Sequence, residues 1–409
     1  MAGRATASTG PITEGRKYRG AIVLPPIPGI HFNVTVLDFA SLYPSVIKRW
    51  NLSYETICCP HPECRENRVP ETGYWVCGKR RGIQSEVIGS LRDARVNWFK
   101  PKSSDPSLAE AQRRWYDAIQ KALKVFLNAS YGVFGFEEFP LYCPAVAESV
   151  AAIGRYAFKK AVKKAREMGL EVIYGDTDSL FIKGASERQV SELIEWAEDE
   201  LGLDLEVDKR LRYAIFTKRK KAYIAASEDG AIIVKGLMAI KSNAFPLLTR
   251  MLGEAIEVLK TIRSPSDIES ARDKIRDIIW RMAEKIIKRE ASVDELAIST
   301  TLSKNLWEYD RDVPHVKAAK LLKMAGVKIS AGSVIRYVKA VNSYGVMPLH
   351  PAIKLDPSLI DYSSYFSALR AAANQILEGF GTSFEELMEE RGGVDVMLYL
   401  LIFHYFMGR

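Results

Sequence analysis

"VIYGDTDSLFI", residues 172–182, sets two aspartates two positions apart between two apolar runs. The flanks "VIY" and "SLFI" suit strands and "GDTD" supplies turn residues, so the stretch reads as a β-hairpin with Asp176 and Asp178 at its tip. Two carboxylates in one site raise each other's pKa unless a cation neutralises them. Turn aspartates more often hydrogen-bond their own backbone; the flanking strands bring the two readings level, and the rest of the chain must decide. A third acid, Asp38, closes the stretch "GAIVLPPIPGIHFNVTVLDF" (20–39), which reads as two strand-like runs around a Pro-rich turn. Asp38 would reach the same place if its strand neighbours the hairpin. Oxygen-only ligation without His or Cys suits Mg²⁺. Two such ions about 3.5–4 Å apart serve phosphoryl transfer.

The chain has 409 residues, 47% hydrophobic and 26% charged, ample for a large core and for two or three domains. Lys and Arg outnumber Asp and Glu by 58 to 50, a net +8 that fits a polyanionic partner without demanding one. Residues 1–20 are polar and do not resemble a signal peptide. The longest apolar run, "VMLYLLIFHYFM" (396–407), is too short for a span of about 20 residues. No membrane partner is expected, and a cytoplasmic, nucleoid-associated location is.

Residues 1–17 read as a flexible leader, and "SLYPSVIKRW" (41–50) as a short helix or turn. A loop rich in Cys, Pro and Gly covers 53–83. A helix from about 84 to 100 stops at Pro101. A second runs from Ser107 into Asn128, its apolar stripe formed by Leu108, Ala111, Trp115, Ala118, Ala122 and Phe126. The short linker makes the pair an antiparallel hairpin. Lys124, Asn128 and Tyr131 share the opposite face if that helix persists. Helices near 145–168 and 188–201 and strands up to about 240 follow. The remainder is mostly helical, with strand-like pieces near 334–340, and a boundary is expected near residue 241. The class is α+β. In the Cys-rich loop, Cys59, His61, Cys64 and Cys77 could assemble a zinc site, although the spacing is not a standard C-x2-C pair.

Three stretches in fixed order, "DFASLYPS" (38–45), "KVFLNASYG" (124–132) and "YGDTDS" (174–179), resemble the signature regions of family B DNA polymerases. "KRKKAYIA" (218–225) is similar to the basic motif that follows them, and "PHVKAAKLL" (314–322) and "GSVIRYV" (332–338) to archaeal thumb segments. The resemblance covers about Tyr18 to Phe380 and is nearest to archaeal replicative enzymes of the crenarchaeal type. It implies a palm with an antiparallel sheet and helices (18–83 and 129–241), helical-hairpin fingers (84–128) and a mostly helical thumb with a tail (242–409). It implies a DNA-directed DNA polymerase using primer-template DNA, dNTPs and two Mg²⁺ ions, with Mn²⁺ as substitute.

By the same resemblance, Asp38, Asp176 and Asp178 are the catalytic acids. Asp38, Asp178 and the Phe39 backbone hold metal, and Asp176 shapes the site. Ala40, Ser41 and Leu42 cradle the triphosphate, and Tyr43 sits beneath the sugar as a steric gate. Arg95, in "SLRDARVNW" (90–98), and Lys124 grip phosphate, with Arg92 as a substitute for Arg95. Asn128 orders those contacts and Tyr131 lies against the nascent base pair. Thr177, Lys220, Lys221, Tyr223 and Lys241 contact the primer-template, and the cations make that binding salt-sensitive. The resemblance also implies a Cys64–Cys77 disulfide as the alternative to zinc; free thiols are the third option.

The family's exonuclease motifs are missing, and the one "DIE" (Asp267–Glu269) lacks a strand context, so proofreading is expected to be absent from this chain. A separate N-terminal or exonuclease subunit is the partner this implies. The tail "YLLIFHYF" (399–406) is similar to a sliding-clamp-binding peptide, with Ile402, Tyr405 and Phe406 as plugs and Tyr399 in place of the usual Gln; a buried terminal helix is the favoured reading. Two rivals stand outside polymerase chemistry. A non-catalytic DNA-binding subunit would have lost a metal carboxylate, and a nucleotidyl cyclase needs no long basic thumb.

Overall fold

A computed structural model describes residues 19–392. The leader 1–17 and the tail 399–406, with its clamp reading, lie outside the described residues. The chain forms two compact units, residues 19–25 with 33–210, and residues 26–32 with 211–392.

The first unit holds strands β1 (Val23–Leu24), β2 (Gly29–Phe39, from Asn33 on), β3 (Glu171–Asp176) and β4 (Ser179–Lys183). Its helices are α1 (Leu42–Arg49), α2 (Ile83–Asp93), α3 (Lys100–Ser103), α4 (Glu110–Phe134), α5 (Pro144–Glu167) and α6 (Glu187–Trp196). The strands run antiparallel in the order β1-β3-β4-β2. The hairpin is where the sequence places it, with Asp176 opposite Ser179. In the next ladder Asp38 faces Ser179 and Val36 faces Phe181. Helix α5 opens on Pro144, where a missing N–H costs nothing, and buries Ala147, Val150, Phe158 and Ala161 in the core with Leu37, Leu180 and Ile182. The approach is close: a Cβ on Gly175 would lie 2.5 Å from Phe158 Cζ, so only glycine fits there.

The expected helical hairpin is present with two corrections. Pro101 does not stop the first helix. A π-helical stretch, Ala94–Phe99, follows α2, the Lys100 N–H bonds the Arg95 carbonyl five residues back, and Pro101 falls in the first turn of α3. The displaced hydrogen-bond register lets the chain stay helical through Ser103. The second correction concerns the stripe on α4. Trp115 is 59% and Phe126 55% exposed, while Leu127, Ser130 and Phe134 are the buried positions. The packed face is thus rotated from the most apolar one. Helix α4 does persist past Asn128, to Phe134, and carries Tyr131.

In the second unit the end of β5 (Leu205–Phe216, from Leu211 on) pairs antiparallel with β6 (Tyr223–Ser227), and β6 with β7 (Ile232–Lys235). Helices Pro246–Leu259, Ile268–Ile287 and Tyr362–Leu377 build its core, and the Tyr213 hydroxyl donates to the Leu259 carbonyl at 2.6 Å. A small sheet, β10-β9-β8, joins β8 (Ile298–Thr301), β9 (Val334–Lys339) and β10 (Val346–Pro348). Only β9 is legible in sequence; runs of three or four residues are too short to show alternation. Asp267 of the "DIE" triplet accepts the N–H groups of Arg263 and Ser264, closing a capping box on the 3₁₀ turn Pro265–Asp267.

Glu295 anchors this unit. Burial opposes its ionisation, yet hydrogen bonds from Lys285 and the Ser292 N–H, with the charges of Lys285 and Arg250, hold its carboxyl down at about 2. Because the folded pKa is depressed, the stabilisation is complete above the unfolded value of 4.5 and drains away as pH falls toward 2. Glu295→Gln is expected to lower stability at pH 7 by up to ~3 kcal/mol and to flatten the acid limb of the unfolding curve, read by guanidinium titration at several pH values. Parallel acid limbs for the two proteins would refute the pairing.

Candidate active site

The site is assembled where β2 ends beside the hairpin tip. The Ser179 hydroxyl lies 2.7 Å from Asp38 Oδ1, to which it donates, and 3.5 Å from Asp178 Oδ1. The Phe39 N–H donates to the Asp178 carbonyl at 3.1 Å, and the Ala40 N–H to the Asp204 carbonyl at 2.9 Å. Backbone bonds therefore lock the end of β2 to the tip. Thr177 has φ 62°, an unusual value for a β-branched residue, and its N–H donates to Ile22 at 3.0 Å. Ser41 has φ 53°, bending the chain from β2 into α1. Two strained residues flank the acids, a pattern typical of sites where geometry outweighs local comfort.

The charges are poorly compensated. Burial, then the charges of Asp38 and Asp176, push the Asp178 carboxyl up to about 7. Burial also raises Asp38, as do Asp208 and Glu206; the Ser179 hydrogen bond and Lys124 oppose the rise. Asp176 points elsewhere: it accepts from the Thr177 hydroxyl at 3.1 Å and the Tyr174 hydroxyl at 3.3 Å, and it does not line the cleft.

That cleft measures about 680 Å³. Its wall contains Asp38, Phe39, Ala40, Ser41, Leu42, Tyr43, Arg95, Lys124, Asn128, Tyr131, Thr177 and Asp178, all singled out from sequence. Arg95 is buried, with Nη1 donating to Ser41 Oγ at 2.8 Å and Nε to the Gln120 carbonyl at 3.3 Å. Arg92 does not stand in for it. Its guanidinium is buried against Ser45, Asp93 and Asp204, a structural clamp outside the cleft. Tyr43 and Tyr131 meet with ring centroids 4.5 Å apart. A Cβ on Gly154 of α5 would stand 3.0 Å from Tyr43 Cε1, so that glycine makes room for the ring.

Sequence reading missed Lys100, Gln120, Lys121, Glu206 and Asp208, which also line the cleft. Lys121 and Gln120 lie one turn before Lys124 on the same helix. Glu206 and Asp208 alternate along β5 and so share one face. Both signals are visible once the element is known. Lys220, Lys221, Tyr223 and Lys241 belong to the second unit. There Lys220 and Lys221 form the turn between β5 and β6, Lys221 has φ 63°, and Tyr223 opens β6. A Cβ on Gly236 would fall 1.9 Å from the Lys221 carbonyl, so the glycine backbone braces this turn.

Residues 6–380 match the model of DNA polymerase family B. The chain belongs to that family. It is 44% identical to DNA polymerase 1 of Aeropyrum pernix over 94% of its own length and 40% of the relative's. To DNA polymerase 1 of Saccharolobus solfataricus it is 43% identical, covering 93% of this chain and 43% of that one. The solved family B DNA polymerase of Pyrobaculum calidifontis superposes with a TM-score of 0.64 at 32% identity, over 89% of this chain and 47% of that one. This family B chain thus spans under half the length of these relatives. Among its described residues no helix is long and apolar enough to cross a membrane.

Burial of the acids, together with their repulsion, has a measurable cost. A carboxyl whose folded pKa is raised binds more protons folded than unfolded, so its contribution to stability falls as pH rises from 3.8 through 7. In metal-free buffer at pH 8, Asp178→Asn is expected to stabilise the protein, by up to ~4 kcal/mol before allowance for water in the open cleft. A lowered denaturation midpoint would contradict this raised pKa and its causes.

Proposed function

We propose that this chain is a DNA-directed DNA polymerase core that extends a primer with dNTPs by two-metal-ion nucleotidyl transfer. The observation that carries this reading is the convergence of Asp38 and Asp178 with Arg95, Lys124 and Tyr43 on one cleft. The donor set fits two Mg²⁺ or Mn²⁺ ions: hard carboxylate oxygens whose ionisation is held back by burial and like charge. Asp38, Asp178 and the Phe39 carbonyl would hold them. When bound, the ions neutralise the acids and activate the primer 3′-hydroxyl against the α-phosphate.

The chain's own groups supply the rest. Arg95, oriented by Ser41 and the Gln120 carbonyl, pairs with triphosphate oxygens through its planar fork, and Lys124 adds a point charge. Both stabilise charge that develops on the leaving pyrophosphate. Asn128 orders the phosphates, and the backbone of Ala40, Ser41 and Leu42 lines their path. Tyr43, wedged between Gly154 and Tyr131, closes the space a 2′-hydroxyl would need. Tyr131 then supports the nascent base pair. Thr177 at the tip, with Lys220, Lys221, Tyr223 and Lys241, contacts the primer-template. Proofreading is not assigned to the described residues, where Asp267 of the Asp267–Glu269 triplet is engaged in capping and Glu269 pairs with Arg272.

Primer extension with purified protein tests the reading. Asp178→Ala is expected to reduce extension by at least ~10²–10³-fold and Lys124→Ala by a smaller factor, while Tyr43→Ala admits ribonucleotides. Equal extension by wild type and Asp178→Ala would end the proposal. Substituting Lys220 and Lys221 should weaken DNA binding and reduce its salt slope by about 1–2.

A further inference from the structure

The Cys-rich loop between α1 and α2 brings four side chains from two arms of chain to one point. Cys59, His61 and Cys64 come from the first arm, whose 3₁₀ turn spans Pro62–Glu66. Cys77 comes from the second, held beside the first by the bridges Ile57↔Val76 and Arg68↔Trp75. One atom from each, three sulfurs and an imidazole nitrogen, lie within 4.8 Å of one another. Cys59, Cys64 and Cys77 are buried in a small cluster of their own, against Trp75.

Burial alone would suit cysteines acting as small hydrophobes. It does not account for the imidazole. His61 Nδ1 faces Cys77 Sγ at 3.4 Å. Nor does it account for the backbone donors aimed at sulfur. The Gly78 N–H points at Cys64 Sγ at 3.4 Å, and the N–H groups of Lys79 and Arg80 serve Cys77, as that of His61 serves Cys59. A sulfur bound to a metal keeps lone pairs that such donors satisfy. Distances agree as well. With Zn–S near 2.3 Å and Zn–N near 2.0–2.1 Å, a tetrahedron has edges of about 3.6 Å (N···S) and about 3.8 Å (S···S). The observed N···S distance of 3.4 Å is close to the first edge, and the 4.8 Å limit leaves sulfur separations at most about 1 Å beyond the second. A disulfide would use one pair at about 2.05 Å and leave His61 and the other thiol without a role; all five cysteines are free thiols here.

We propose that Cys59, His61, Cys64 and Cys77 form a closed, four-coordinate structural Zn²⁺ site. Three thiolates and one imidazole are a soft donor set that selects Zn²⁺ over the hard ions of the cleft. The site would clamp a loop that positions catalytic elements. Asn51, just after α1, donates to the carbonyls of Cys77 at 3.0 Å and Arg80 at 2.8 Å, and accepts from the Gly82 N–H at 2.8 Å, immediately before α2. On its far side the loop docks on α5, through Tyr74 to Glu148 and Glu71 to Arg155. Fixing Cys77 therefore fixes the step from the helix that begins at the cleft to the one that leads to Arg95.

The test reads metal, not extension, so it stands apart from the polymerase reading. Full-length chain purified under reducing conditions with zinc supplied is expected to carry one zinc per chain by elemental analysis. Exchange for Co²⁺ should give the visible bands of tetrahedral cobalt and a thiolate-to-cobalt charge-transfer band. Cys64→Ser and His61→Ala should lose the stoichiometric metal, whereas Cys143→Ser keeps it. Absence of stoichiometric zinc in the wild-type chain, or a mass two hydrogens lighter that locates to Cys64–Cys77, would overturn the proposal. The wild-type cobalt spectrum decides even if a cysteine variant fails to fold: octahedral bands or none would refute the site.

Discussion

One ladder pair governs this molecule: Asp38 on β2 opposite Ser179 on β4. It brings two carboxylates to a shared hydroxyl, because Asp178 is the residue before Ser179 and its carbonyl accepts from Phe39. Nothing in the acids favours this arrangement; burial and like charge both oppose ionisation. The apolar strands carry the load instead. Leu37, Leu180 and Ile182 are fully buried beneath the tip and pack against α5, so the register cannot slip without turning a whole buried face outward. Hydrophobic packing holds an electrostatically unfavourable constellation together, as the proposed metal ions would require.

The walls of the cleft obey the same logic. Gly175 admits Phe158 against the hairpin, and Gly154 admits Tyr43 against α5. Two glycines without positive φ are thus explained by close approach. The π-helical stretch after α2 performs a comparable service for Arg95. Its side chain is buried at the cleft wall and held by Ser41 and the Gln120 carbonyl, so the guanidinium is oriented in advance for the proposed phosphate contact. Arg92, three residues earlier, is consumed by Ser45, Asp93 and Asp204 and braces α2 against α1 and the start of β5.

The loop between α1 and α2 completes this framework. Its Ile57, Val69 and Val76 join the main core of the first unit, while its three buried cysteines and Trp75 form a cluster apart from that core. The part around the cysteines needs a fastening besides that burial. Hydrogen bonds from Asn51 and ion pairs to α5 supply part of it, and the proposed metal supplies the rest.

Sequence alone determined the local elements and the chemistry they carry. The hairpin with its two aspartates, the strand ending at Asp38, the helical hairpin and the shared face of Lys124, Asn128 and Tyr131 are local patterns. They rest on turn chemistry and on helical and strand periodicity, which neighbouring residues fix. The tertiary structure decided what periodicity cannot carry. Trp115 and Phe126 look like a packing stripe yet lie outward, because the partner helices meet the adjacent face of α4. Glu206 and Asp208 joined the acids only because β5 lies beside them, and of two arginines a turn apart only one faces the cleft. Each of these depends on contacts between residues distant in the chain, and such contacts leave no spacing to read.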